Sequence, residues 1–223
     1  MTYSFLSIPG LPSTFASLDS KVYHDYDSIL EVVKSALNSS EIEVFECVWP
    51  KEVKKKELKR YKTLKIPAYY LYYNLDADYR RKVIDLAKKN ICISTEGKTL
   101  SFLMLHSHGN RVAFDALLEL KLEKPDLLNK IVILSFAPAY RNVLRGLVPP
   151  GLTQDEIEEI NSSVCALLSF RMKKDILSGD PELEKTFFFD PKFYEYIFWG
   201  HASIRSRKDV MQVLSEELGK ILE

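Results

Sequence analysis

Apolar and polar positions change their period repeatedly along this chain, and each change marks an element. Tyr3 to Ile8 is a short apolar run that breaks into Pro9-Gly10-Leu11-Pro12, which predicts a strand entering a loop. Ile29, Val33, Ala36 and Leu37 recur at helical spacing. Ser28 and Glu31 stand in capping-box spacing, so a helix is expected from about Asp27–Ser28 to the polar residues 38–40. Ile42 to Trp49 reads as a second strand, stopped by Pro50. Residues 76–90 read as a helix, with Tyr79, Val83, Ile84 and Leu86 as its apolar positions. Residues 91–95 read either as a short strand or as the end of that helix, and Glu96-Gly97-Lys98 as a turn.

The sharpest change follows. Leu100 to Leu105 is an apolar run interrupted only by Ser101, as expected of a strand covered on both faces. From Arg111 onward, Ala113, Ala116, Leu117 and Leu120 mark one face of a helix. Only His106-Ser107-His108-Gly109-Asn110 separates the two. So short a turn forces one residue into strained backbone geometry and pushes its side chain out at the carboxyl edge of the sheet. That residue is Ser107, and the layout is that of a nucleophile elbow. The plainer reading is a polar strand-to-helix turn in which Ser107 or Asn110 caps the helix.

Beyond the elbow helix, Lys124-Pro125-Asp126 marks a break, and Lys130 to Phe136 is a further buried strand. Thr153 and Glu156 predict a second capping box, opening a short acidic helix. Val164 to Phe170 reads as a strand, with Arg171-Met-Lys-Lys-Asp175 as the loop after it. Residues 187–200 are aromatic and extended, with one strand running up to His201; 202–206 is a loop and 207–222 an amphipathic helix. Strands alternating with helices, without repeat or linker, predict one α/β domain over residues 1–223. Its expected form is a three-layer sandwich with a mainly parallel central sheet flanked by helices. Ligands of such sheets sit at the carboxyl ends of strands. Ser107, Gly10-Leu11, Asp175 and His201 all fall just past such an end.

Composition narrows the function classes. Apolar residues make up 46% of the chain, charged residues 28%, and the net charge is zero, so no overall field attracts nucleic acid or an anionic membrane. The one basic run, residues 51–62, reads as a solvated helix face. The aromatic cluster that follows it, 67–73, reads as cover for the sheet or as one wall of an apolar cleft. Cys47, Cys92 and Cys165 are far apart among apolar neighbours, which points to buried thiols in a reducing compartment rather than to disulfides or a zinc site. No stretch has the length and apolarity of a membrane span, and the first residues do not read as a signal peptide, so a cytoplasmic location is expected.

A serine hydroxyl attacks only when a base takes its proton, and histidine has the right pKa for that. A carboxylate then holds the imidazole in its working tautomer. Of the four histidines, His106 and His108 flank Ser107 and should point away from it, and His24 lies in a Tyr-rich connection. His201, between a strand and the last helix, is the candidate base. Among Asp155, Asp175, Asp180, Glu182 and Asp190, the carboxylate best placed by strand order is Asp175, with Asp190 the alternative.

The order Ser107, Asp175, His201 and the segments Leu105-His-Ser-His-Gly109, Ile8-Pro-Gly-Leu11, Arg171 to Leu177 and Gly200-His201 resemble the α/β-hydrolase superfamily, in its small capless lipase/esterase-like form. The resemblance spans nearly the whole chain and lacks the first strands of the larger fold. It implies a serine hydrolase that cleaves an ester, thioester or amide in a small or lipid-like acyl substrate, without metal or cofactor. It further implies an oxyanion hole built from the backbone N–H groups of His108 and Leu11. Two positions depart from the pattern: Leu105 replaces the first glycine of G-x-S-x-G, and Pro9 replaces the histidine common before the oxyanion glycine. The Leu105 substitution motivates an alternative, a hydrolase-fold protein that binds or scaffolds without catalysis.

Overall fold

The sheet alternation expected from the sequence sorts the side chains into two cores. The structure is a computed structural model that describes residues 1–10, 26–39, 41–47, 73–139, 151–173, 185–191 and 204–223. In chain order the elements are β1 (Tyr3–Ile8), α1 (Asp27–Ala36), β2 (Ile42–Glu46), α2 (Ala77–Thr95), β3 (Leu100–His106), α3 (His108–Glu123), α4 (Pro125–Leu128), β4 (Ile131–Phe136), α5 (Gln154–Asn161), β5 (Ala166–Met172), β6 (Thr186–Phe189), a 3₁₀ turn (Ile204–Ser206) and α6 (Lys208–Leu222). The strands form one sheet in the order β2-β1-β3-β4-β5-β6, and every pairing is parallel.

Because successive side chains point to opposite faces, Leu6, Ile8, Leu103, Leu105, Ile131 and Ile133 enter one core with α2, α3 and α5. Phe5, Phe102, Met104, Val132, Leu134 and Phe136 enter the other, under α1 and α6. The result is a three-layer α/β sandwich with a sheet buried on both faces at its centre. Serines interrupt the apolar run of the central strands, and two of them meet each other. Ser4 and Ser101 lie side by side at 2.7 Å between hydroxyls, and Ser4 donates to the Ser94 carbonyl at the end of α2. Near the carboxyl edge, Phe136, Phe170 and Phe187 stack across β4, β5 and β6, with ring centroids 4.9 and 5.5 Å apart.

Several boundaries differ from the sequence reading. α1 begins at Asp27, as expected, but the Ser28 capping box does not form: the N-cap is Tyr26, which makes no side-chain capping bond. The entry is held instead by tertiary contacts: the Tyr26 hydroxyl donates to Glu46, and its ring lies 5.6 Å from that of Phe5. The Thr153 capping box is present, with Glu156 N–H donating to Thr153 Oγ1 at 3.2 Å and Thr153 N–H donating to Glu156 Oε2 at 2.7 Å. Residues 91–95 continue α2, whose start is capped by Asp76 accepting from Tyr79 N–H at 2.9 Å. β2 ends at Glu46, short of Trp49, which lies outside the described residues. β5 runs on through Arg171 and Met172, which the sequence reading assigned to a loop. β6 starts at Thr186 and stops at Phe189, and the stretch predicted to carry a strand up to His201 lies mostly outside the described residues. Cys47 is buried, and burial pushes its thiol up to about 12; Cys165, expected inside, is exposed at the start of β5. No helix among the described residues is long and apolar enough to cross a membrane.

Candidate functional site

The strand order turns back on itself once. The chain steps from β1 outward to β2, then crosses to β3 on the other side of β1 and continues to β6. The crevice of such a sheet opens between the carboxyl ends of the two strands flanking the reversal. Here these are β1, followed by Pro9 and Gly10, and β3, followed by Ser107.

Ser107 is the single residue between β3 and α3, with φ 53° and ψ −128°. A non-glycine residue in this region carries about 1–3 kcal/mol of strain and persists only where its surroundings hold it. It stands at the N-cap of α3, yet its side chain makes no capping bond to the helix. The hydroxyl is thus not spent on the role that the plainer reading gave it.

Two glycines let neighbouring backbone close on this turn. A Cβ on Gly109 would lie 2.4 Å from the Ile8 carbonyl oxygen and 2.6 Å from that of Pro9, so the first turn of α3 is seated directly on the end of β1. A Cβ on Gly10 would lie 3.1 Å from Ser107 Cβ and 3.5 Å from Ser107 Oγ. Leu105 needs no such glycine. It is fully buried in the core beside Ile8, its β1 neighbour in register, and Ser107 takes its strained conformation with leucine in place.

The Ser107 backbone is gripped from several sides. Its N–H donates to the Phe136 carbonyl at 3.0 Å, prolonging the β3–β4 ladder. Its own carbonyl oxygen accepts from Asn110 N–H at 3.1 Å, from Asn110 Nδ2 at 3.0 Å and from Ala139 N–H at 3.3 Å. Asn110 is fully buried, and its Oδ1 accepts from the Ser135 hydroxyl at 2.7 Å. Ala137, next to this grip, is also a non-glycine residue at positive φ, 44°. Sequence reasoning had Asn110 only as a capping candidate and did not single out Ser135. The signal present in the chain was a serine in an otherwise apolar strand, Ile131 to Phe136.

His108 is buried, 5% exposed, with its ring edge-to-face on Tyr73 at 5.0 Å. Burial first, and then the charges of Arg111 and Arg80, hold its imidazole down to about 3. Such a ring takes up no proton near neutrality, which removes His108 as a base for Ser107 on electrostatic grounds. Behind it, Asp115 Oδ2 accepts from Tyr73 Oη at 2.5 Å, Arg111 Nε at 2.9 Å and Arg80 Nη2 at 3.1 Å. This network ties the first turns of α3 to α2 and holds the Tyr73 hydroxyl far above its ordinary range, by burial and by the Asp115 carboxylate.

At the ends of β5 and β6, Arg207 donates to the Asp190 carbonyl at 2.8 Å and to Asp209, with its guanidinium over the Phe189 ring at 5.8 Å. The Asp190 side chain is 79% exposed and pairs with Lys173 at 3.0 Å. Lys173 is the first residue past β5, and Asp175 follows it outside the described residues, as do Leu11, His24 and His201. Of the predicted nucleophile, base, acid and oxyanion residues, the structure thus describes the surroundings of Ser107 and His108, together with those of Asp190, the alternative acid, which is exposed and paired with Lys173. Among the described residues no group of His, Cys, Asp and Glu has the makeup of a metal site. No protein-family model and no curated protein matches this chain.

Proposed function

We propose that this protein is an α/β-hydrolase-like serine hydrolase that cleaves an ester, or a thioester or amide, through an acyl-enzyme on Ser107. The observation that carries the reading is the Ser107 backbone, held at positive φ between a buried parallel strand and a helix, at the crevice where the strand order reverses. In this reading Ser107 Oγ attacks the acyl carbon and gives its proton to His201, while Asp175 holds the His201 imidazole. The N–H groups of His108 and Leu11 donate to the oxyanion, each worth about 10²–10³ in rate. Collapse of the tetrahedral intermediate expels the alcohol, thiol or amine, which takes the proton from His201. Water then repeats the sequence on the acyl-enzyme and releases the acid.

The alternative, a hydrolase-fold binding protein, drew its motive from Leu105. With Leu105 accommodated in the core and the turn intact, that motive loses its force. The test is covalent labelling by a fluorophosphonate probe together with turnover of short p-nitrophenyl esters. Wild type labels and Ser107→Ala does not. A folded wild-type protein that neither labels nor hydrolyses returns the binding reading.

A further inference from the structure

We infer that Asn110, set in place by Ser135, is the positioning residue that aims the His108 N–H at the reacting oxygen. The inference rests on the hydrolase reading for its catalytic meaning and on backbone geometry for its physics. A peptide unit is planar, and no cis bond occurs among the described residues, so the N–H of His108 points opposite to the carbonyl of Ser107. Whatever fixes the direction of that carbonyl fixes the direction of the N–H.

Three donors converge on the Ser107 oxygen, and two of them come from Asn110. The Asn110 backbone N–H, at 3.1 Å, is what any residue at this position of a tight helix start supplies. The side-chain Nδ2, at 3.0 Å, is not. It faces this way because the Ser107 and Phe136 carbonyls can only accept, and Ser135, donating to Oδ1 at 2.7 Å, holds the other end of the amide. The same Nδ2 lies 3.5 Å from the Phe136 carbonyl, which itself receives the Ser107 N–H. The amide therefore ties the turn to β4. Ser135 can reach it because β4 pairs with β3 in register, placing Ser135 opposite Leu105.

The strain at Ser107 explains why a dedicated clamp is needed. A residue at φ 53° and ψ −128° relaxes by rotating the peptide that follows it, and that peptide carries both the oxyanion donor and the start of α3. Without the side-chain donor, the carbonyl keeps two bonds and gains freedom to tilt. The His108 N–H tilts with it, and the hole loses alignment where transition-state charge develops.

Two measurements decide the matter. In the wild-type background, Asn110→Ala should lower the limiting rate of fluorophosphonate labelling about 10–100-fold, less than the full loss of one oxyanion donor, with little change in the probe concentration giving half the limiting rate. Asn110→Ser, which keeps a short hydroxyl donor toward the Ser107 carbonyl, should recover part of the loss. Ser135→Ala, which leaves Asn110 in place, should give a smaller loss in the same parameter. Should Asn110→Ala fail to fold, Ser135→Ala carries the test. The second measurement needs no hydrolase activity. In Ser107→Cys, alkylation of Cys at 107 by iodoacetamide, followed by peptide mass spectrometry against pH, reports the thiol's ionisation beside the α3 N-terminus. It should titrate below the free-cysteine value of about 8.5, and adding Asn110→Ala should move the profile upward by about half a unit or more. An unchanged thiol profile, or a folded Asn110→Ala or Ser135→Ala protein labelling at the wild-type rate, overturns the inference. If wild type fails to label while the thiol profile shifts as expected, the clamp stands and the hydrolase reading falls.

Discussion

Replacing Gly109 by alanine should be among the costliest single-methyl additions to this chain. The new Cβ meets the Ile8 oxygen at 2.4 Å, the Pro9 oxygen at 2.6 Å and the Pro9 carbonyl carbon at 2.9 Å. All three are backbone atoms, so no rotamer change relieves them. Ordinary contact distances require about 3.5 Å, so the α3 start and the β1 end must separate by about 1 Å. β1 cannot retreat alone, because it is hydrogen-bonded to β2 on one side and β3 on the other. Overpacking of this kind costs about 1–3 kcal/mol, and the rigidity of both partners puts the expectation near about 3 kcal/mol. Better helix propensity returns a fraction of that. Gly219→Ala is the control: it lies in α6, nothing comes within 4 Å of its added Cβ, and it should gain about 0.5–1 kcal/mol. Urea unfolding followed by circular dichroism reads both. With a slope of about 1–3 kcal/mol per molar, Gly109→Ala should shift the midpoint down by about 1–2 M. A shift below about 0.3 M would refute the claim that α3 is seated on the end of β1.

Gly10→Ala places a methyl 3.1 Å from Ser107 Cβ and 3.5 Å from Oγ, so fluorophosphonate labelling should slow at least about tenfold while the protein stays folded. A wild-type labelling rate would mean that this flank lies off the substrate's path. His108 should make stability pH-dependent. Its folded value is pushed down to about 3 by burial, then by Arg111 and Arg80, so between there and its ordinary 6.5 only the unfolded chain holds the proton. Its contribution is complete above about 6.5 and is lost as pH falls, at about 1.4 kcal/mol per unit within that window. Relative to His108→Leu, wild type should therefore lose stability between pH 6 and 4, and parallel curves would contradict the assignment. Asp115→Ala leaves Arg111 and Tyr73 buried without their shared acceptor and should cost about 3–5 kcal/mol. A loss under about 1 kcal/mol in urea unfolding would show that the network is dispensable.

What the sequence made legible was whatever depends on neighbours in the chain. The tight turn from β3 to α3 was readable because an apolar strand pattern meets a helical one across five polar or small residues, and that leaves the backbone a single sharp way round. The Thr153 capping box was readable because both its bonds close within three residues. The Ser28 box had the same spacing and did not form, because Tyr26 is pinned to Glu46 and Phe5, and that packing makes Tyr26 rather than Ser28 the N-cap. Arg171 looked like a loop residue because it is charged. It extends β5 because its guanidinium finds the Phe188 ring at 5.8 Å, a partner 17 positions on that only strand pairing supplies. The bond between Asn110 and Ser135 escaped notice for a related reason. It spans 25 residues and depends on the exact register of β3 against β4. Leu105 looked like a defect because the missing glycine was visible while the room for a leucine between β1 and α3 was not.

Ser107 at φ 53° and Ala137 at φ 44° end neighbouring strands, and both hold backbone conformations that glycine adopts without strain. A population of variants screened for folding alone should therefore drift toward glycine at both positions, each change relieving about 1 kcal/mol. The sequence as it stands keeps a hydroxyl at one and a methyl at the other. Deep mutational profiles under a stability screen and under an activity screen would then diverge at 107 and agree at 137, which makes the pair an internal gauge of whether selection on this chain acts on its fold or on its chemistry.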